Sequence, residues 1–318
     1  MSETLGDFAR FQIPVIPENY KPLDQIGLRK NVFSYSYFEI DLCVSALQKS
    51  IRRGLQSDTI QWINELFYSS VACRTHLWNR LLVISLEDIG ISNPSLILYG
   101  YDIFKKHRDD IYYAVHFGIL LCNNVKNRLN DLLLHYGSSN KFESKIEDFI
   151  TNVINKNYEN IFKNYYFLKE DKKILKQLYT IIEKYYNNCE FFQSLKELAF
   201  SVNWKYNAKS DLVFAHLINI ICFDKLEEVK SENLNFKKYT LHNCIKLQLY
   251  PQIINCINRI GLLGIPEWTA DKHTRLGKIL NRDNLHFWFI GVHIENADSK
   301  YKKINLEYYN LILCNLNL

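Results

Sequence analysis

DLCVSALQKSIRRGLQSDTIQWINELFYSS, residues 41–70, decides the fold class. Leu42, Ala46, Leu47 and Ile51 recur at the three- and four-residue spacing that lines one face of a helix. Gln48, Lys49, Arg52 and Arg53 fall on the other side and read as a solvent-facing surface. Gly54 stands where a helix closes on a left-handed residue. A second helix follows. Ser57 or Asp58 is placed to cap it, and Ile60, Ile63, Leu66 and Phe67 form its apolar stripe.

The same periodicity runs on. Between Ser95 and Tyr250 there is no proline to break a helix. IEDFITNVINKNYENIFKNYYFL (146–168) and KKILKQLYTIIEKYYNNCEFFQSLKELAF (172–200) are amphipathic with aromatic faces. No fixed-period repeat stands out, so the pattern predicts stacked helices and not a solenoid. Pro14, Pro17 and Pro22 make the start of the chain an extended arm. VFSYSYFEIDL (32–42) reads as either a strand or the lead-in to a helix near Glu39. DKLEEVKSENLNFKKY (224–239) is the most polar stretch and reads as an exposed loop or boundary.

Composition narrows the class. The 318 residues are 47% apolar and 23% charged, ordinary for a folded protein. The net charge of +5 and isoelectric point near 8.6 permit nucleic-acid binding without demanding it. The eight cysteines are scattered singly, with no zinc-ligand spacing, and read as reduced thiols. No signal core and no run of 18 apolar residues occurs. The expectation is a soluble intracellular protein, cytoplasmic or nuclear, with no membrane partner.

HLWNRLLVISLEDIGISNP (76–94) raises a question of electrostatics. An apolar helical run ends in two adjacent acids, where the helix dipole favours cations. Gly90 can close this helix, and Asn93-Pro94 reads as an N-cap with proline at the first position of the next. Glu87 and Asp88 therefore need cations. Arg80 lies two turns back, and Arg52 and Arg53 end an earlier helix. The reading is a structural ion-pair network of Arg52, Arg80, Glu87 and Asp88. A catalytic carboxylate pair fits less well, because adjacent acids on a helix point about 100° apart.

These residues also carry a resemblance. Residues 42–100 resemble the helical region that follows the ATPase core in the replication-associated recombination ATPases, the bacterial RarA/MgsA proteins and their eukaryotic Werner-helicase-interacting relatives. Ser45, Ala46, Lys49, Ser50 and Arg52 stand in the family's Ser-Ala and Lys-Ser-x-Arg elements. Trp62 and Leu66 match its next helix, and Arg80, Leu81, Glu87, Asp88, Ile89, Gly90 and Pro94 match its Arg-Leu and EDIGxxxP elements. The resemblance implies a clamp-loader-like collar module that oligomerises. No GxxxxGK[ST] phosphate loop occurs anywhere, so the motor is missing and no ATP-driven activity carries over.

GIPEWTADKHTRLGKILNRDNLHFWFIGVHIEN (264–296) is the second dense stretch. It is similar to sequences near the end of collar-like proteins in large DNA viruses and some phages. Three readings stay open. Lys272, His273, Arg275, Lys278 and Arg282 could contact phosphates, with Trp268 or Trp288 stacking on bases. Asp271, His273, His286 and His293 could form a metal or catalytic constellation, although Asp-x-His spreads the two around a helix. Alternatively Asp271 caps a helix, His273 and Thr274 bond locally, and the aromatics are core.

The sequence thus predicts a mainly α protein: a multi-helix, collar-like bundle with an extended N-terminal arm and a less regular C-terminal segment. Its parts would be an arm over 1–38, the collar-like module over 39–138, a helical middle region over 139–240 and a C-terminal segment over 241–318. The functional expectation is a non-catalytic accessory protein of DNA replication, recombination or repair that self-associates and contacts DNA. No cofactor and no metal is expected, and replication or assembly proteins are candidate partners. The alternatives are a structural or scaffold protein, possibly of a large DNA virus, and more weakly a metal-dependent hydrolase at Asp271 and His273.

Overall fold

The computed structural model describes residues 10–11, 33–34, 36–187, 189–200, 207–231, 236–258, 265–292, 294 and 296–315. Most of the expected N-terminal arm, part of the polar 224–239 stretch and His293 lie outside these residues.

The chain is mainly α. Among the described residues the helices are, in order, α1 (Ile40–Arg52), α2 (Gln56–Ser69), α3 (Val71–Ile84), α4 (Pro94–His107), α5 (Ile111–Asn123) and α6 (Leu129–Ser139). Then come α7 (Ile146–Ile154), α8 (Tyr158–Leu168), α9 (Lys172–Tyr186), α10 (Glu190–Phe200), α11 (Asn207–Cys222) and α12 (Leu226–Ser231). The series ends with α13 (Asn243–Asn258) and the shorter α14 (Arg275–Ile279) and α15 (Asn284–His286), followed by α16 (Lys302–Asn315). Two short strands, β1 (Arg10–Phe11) and β2 (Ile265–Pro266), pair antiparallel. The VFSYSYFEIDL stretch leads into α1, with Glu39 at its N-cap. The polar stretch, expected as a loop or a boundary, carries α12 and a 3₁₀ turn at Phe236–Tyr239, and a unit boundary falls just after it, between Thr240 and Leu241. No described helix is long and apolar enough to cross a membrane.

Two compact units form, each from three chain segments. The first comprises Met1–Leu81, Lys106–Asn123 and Leu241–Glu295. Here α1 packs on α2, α5 crosses both, and α13 packs on α2 and α5. The predicted stripe of α2 is core: Ile60, Ile63, Leu66 and Phe67 are all buried, worth about 1.5–3 kcal/mol each. Gly118 lets α5 approach, since a Cβ there would sit 2.4 Å from Ile63 Cδ1. Two details differ from expectation. Leu55 and not Ser57 or Asp58 occupies the α2 N-cap, and Asp58 puts an acid in the first turn, where the helix dipole favours it. More telling, Lys49 and Arg52 on the supposed wet face of α1 are each 2% exposed.

The second unit comprises Leu82–Lys105, Asn124–Thr240 and Asn296–Leu318, with α6 at its centre against α8, α11 and α16. Its core is tyrosine-rich, and three of the buried hydroxyls find acceptors. Tyr165 donates to Asp211 at 2.5 Å, Tyr179 to Ser210 O at 2.9 Å and Tyr186 to Leu217 O at 2.7 Å. Tyr165 also stacks on Phe214, with ring centroids 3.9 Å apart.

After α3 the chain makes one π-helical turn, Ser85–Ile89, and reverses at Gly90 with φ +50° and ψ −131°. Only glycine holds that conformation at low cost. A Cβ would also press on Asn130 Nδ2 at 3.2 Å. Pro94 then opens α4 at its first position, as the sequence predicts. Gly90→Ala is expected to lower unfolding free energy by about 1–3 kcal/mol in urea titration, with helix content by circular dichroism unchanged.

Candidate functional site

The C-terminal motif of the first unit closes on α1. Ser45, Lys49, Arg52 and Arg53 recur at i, i+4, i+7 and i+8, and so share one side of that helix. Lys49 Nζ meets Asp271 Oδ2 at 2.6 Å, Ser45 Oγ at 3.0 Å and the Thr269 carbonyl at 3.2 Å, which uses all three ammonium donors. Ser45 Oγ donates to that same carbonyl at 2.7 Å. Arg52 Nη1 donates to Gly291 O at 2.8 Å, and Arg53 Nη2 to Ile290 O at 2.7 Å. The Arg53 guanidinium also lies over the Trp268 ring, 4.5 Å from its centroid. The polar side of α1 is therefore a docking face.

The motif is shaped to reach it. Asp271 Oδ1 accepts the His273 backbone N–H at 2.9 Å, so both carboxylate oxygens are bonded. Thr274 caps α14 by accepting the Gly277 N–H at 3.0 Å, and its hydroxyl donates to Asp271 O at 2.9 Å. A Cβ on Gly277 would fall 1.7 Å from the Asp271 carbonyl oxygen, so no other residue fits. Arg275 ties α14 to the start of α1: its backbone N–H donates to Asp41 Oδ2 at 2.6 Å and its guanidinium pairs with Glu39.

Electrostatics fit a buried ion pair. Burial is the largest influence on both groups. It pushes the Lys49 ammonium down to about 8 against the pull of Asp271, with Arg52 and Arg53 adding to the drop. For Asp271 burial works upward, but Lys49 and the His273 N–H bond outweigh it and hold the carboxyl below its usual range. Both groups are charged at neutral pH. All three Lys49 ammonium donors are used, and each Asp271 carboxylate oxygen accepts one hydrogen bond.

The residues predicted to face nucleic acid divide accordingly. Trp268 is buried beneath Arg53, Arg275 is paired with Glu39, and Arg282 is paired with Glu267 at 2.5 Å. Lys272 bonds the Asn284 amide and lies 4.7 Å from the Phe287 ring centroid. His273 is exposed, edge-on to Phe287 at 4.9 Å. Lys278 is exposed. For the metal reading, Asp271 takes the backbone N–H of His273, and its second oxygen goes to Lys49. Among the described residues no three His, Cys, Asp or Glu side chains converge to hold a metal.

In the second unit, Glu87 and Asp88 are met by a cation that sequence reading did not select. Arg128, 3% exposed and at the N-cap of α6, places Nη2 3.0 Å from Glu87 Oε1 and Nε 3.3 Å from Asp88 Oδ1. It also pairs with Asp131. The Nε contact is an ion pair whose geometry falls short of a hydrogen bond. The adjoining residues complete the turn: Asn127 N–H donates to Asp88 O at 2.8 Å and Asn130 Nδ2 to Leu86 O at 2.7 Å. Asn130 in turn accepts from Asn219 at 2.7 Å and lies 3.5 Å from His216 Nδ1. Burial pushes that imidazole down to about 3, so it is neutral. Of the arginines expected in this network, Arg80 reaches Gln48 Oε1 at 3.3 Å and Arg52 the Gly291 carbonyl, both within the first unit. Sequence distance hid Arg128, which stands 40 residues beyond the acids with no periodic link to them.

Comparison with protein-family models, curated proteins and solved structures finds no match.

Removing one member of the buried pair, by Lys49→Met or Asp271→Leu, is expected to cost about 3–5 kcal/mol in urea titration, and the double variant to recover most of it. Because the folded-state pKa of Lys49 lies below its unfolded value, the unfolded chain holds the extra proton between about pH 8 and 10.5. Stability of the wild type relative to the double variant should therefore rise across that window. Parallel urea titrations at pH 7.5 and 9.5 measure it.

Proposed function

We propose that this chain is a non-catalytic helical accessory protein of DNA replication, recombination or repair, which acts by associating with itself and with nucleic acid. The observation that carries the non-catalytic part is the Lys49–Asp271 lock. In the stretch richest in His, Asp, Lys and Arg, the carboxylate that the hydrolase reading needs, Asp271, is buried against Lys49 of α1. The replication setting rests on the resemblance of residues 42–100 to the collar region of the recombination ATPases. Nucleic-acid contact is supported by a smaller set than the sequence suggested. Lys272 and Lys278 remain as cations with the exposed His273 imidazole between them, and Phe289 is exposed farther along the same motif.

A scaffold role is the second reading. Ile279, Leu280, Leu285, Phe289 and Ile290 are exposed apolar side chains within twelve positions, and Leu285 and Phe289 are one helical turn apart. Apolar surface of that density marks contact with protein more than with phosphate.

Fluorescence anisotropy on single- and double-stranded DNA across a salt series tests the first reading. Binding should weaken as salt rises, since phosphate contacts release counterions. Lys278→Ala should weaken it further with the urea midpoint unchanged. Arg275→Ala should instead lower stability, because that guanidinium is held by Glu39. No binding at low salt would sink the nucleic-acid reading and leave the scaffold.

A further inference from the structure

We propose that the outer face of α9, in the second unit, is a docking surface for the phosphate backbone of double-stranded DNA. This rests on the nucleic-acid part of the proposed function and adds a contact surface beyond the C-terminal motif. At about 100° per residue, Leu178, Tyr179, Ile182 and Tyr186 make up one side of the helix, and all four are buried. Lys173, Lys176, Gln177, Thr180 and Lys184 fall together on the opposite side, and all five are exposed. Three cations thus line one straight face roughly 17 Å long, with no acid among them. The acids beside it are already engaged. Asp171 caps the helix by accepting the Lys173 and Ile174 N–H groups at 2.7 and 3.4 Å. Glu170 pairs with Lys141 at 3.1 Å, and Glu183 meets Lys196 at 2.9 Å and the Gln193 amide at 2.7 Å. Among the described residues, Lys173, Lys176 and Lys184 meet no carboxylate. Lys173 also stands in the first turn, where the helix dipole disfavours a cation. Nothing described in the fold pairs with these charges, and a polyanion complements them.

Composition selects which polyanion. A helix that lies on a membrane inserts apolar side chains, and the centre of a protein interface is apolar and poor in lysine. The Lys, Gln and Thr face of α9 has neither character. Lysine and glutamine are among the side chains that bond phosphate oxygens. The face carries no aromatic ring on which an unpaired base could stack, so it suits a duplex above a single strand. Duplex DNA presents one charge per about 3.4 Å along each strand, so a face of this length spans several phosphates.

The full chain and a triple variant, Lys173→Gln with Lys176→Gln and Lys184→Gln, are titrated onto a short fluorescent duplex across a salt series. The variant should bind more weakly at low salt, with the slope of log affinity against log salt reduced by about 3. Its urea midpoint should match the wild type, because the three side chains are open to water. Arginine at the same three positions should keep the binding, since the charge is what the backbone reads. A glutamine variant that binds the duplex as the wild type does would overturn this surface and leave nucleic-acid contact through the C-terminal motif standing. A wild type that binds no duplex at low salt would overturn both. Tighter binding to a single strand of the same length, lost in the triple variant, would overturn the duplex assignment. Adsorption to phosphatidylserine vesicles that the triple variant loses, without duplex binding, would give the face to a membrane instead.

Discussion

The buried contact of Lys49 with Asp271 constrains the first unit more than any other. A charge in a protein interior is tolerated only when it is paired and its remaining hydrogen-bonding positions are filled. Lys49 satisfies that condition through Asp271, Ser45 and Thr269, and Asp271 through Lys49 and the His273 N–H. Each requirement fixes a further piece of chain. Thr274 and Gly277 hold the Asp271 backbone, and Arg52 and Arg53 bring residues 290 and 291 onto α1. Segments more than 200 positions apart are joined by a handful of polar contacts whose failure would strand a charge.

That architecture changes what the motif means. A run of Asp, His, Thr, Arg, Gly and Lys reads equally well as chemistry, as a phosphate-binding surface or as a set of local caps. The caps and cross-links account for Asp271, Thr274, Arg275, Gly277 and Arg282. Lys278 lies at the surface, with a group of apolar side chains along 279–290.

The second unit follows the same logic with other residues. The acids at the end of α3 answer to Arg128 and the carbonyls of their turn to Asn127 and Asn130, so an unfavourable helix end becomes a junction with α6. The need for a cation was legible at Glu87 and Asp88. Its identity was not, because a lone arginine forty positions away leaves no periodic trace.

The sequence by itself determined the class, the helices and several of their ends. Apolar spacing, the long proline-free span, Gly54, Gly90 and Pro94 are local signals, and local geometry reads them directly. Lys49 and Arg52 show where that reading stops. Periodicity assigned them to water, since a cation on the polar side of a helix is ordinarily solvated. Only the tertiary structure brought Asp271 and the Gly291 carbonyl to them, turning a wet face into a dry one. Hydrophobic pattern records which side of a helix can be buried without cost. Whether a polar side is buried too depends on partners distant in the chain, and those are set by the fold.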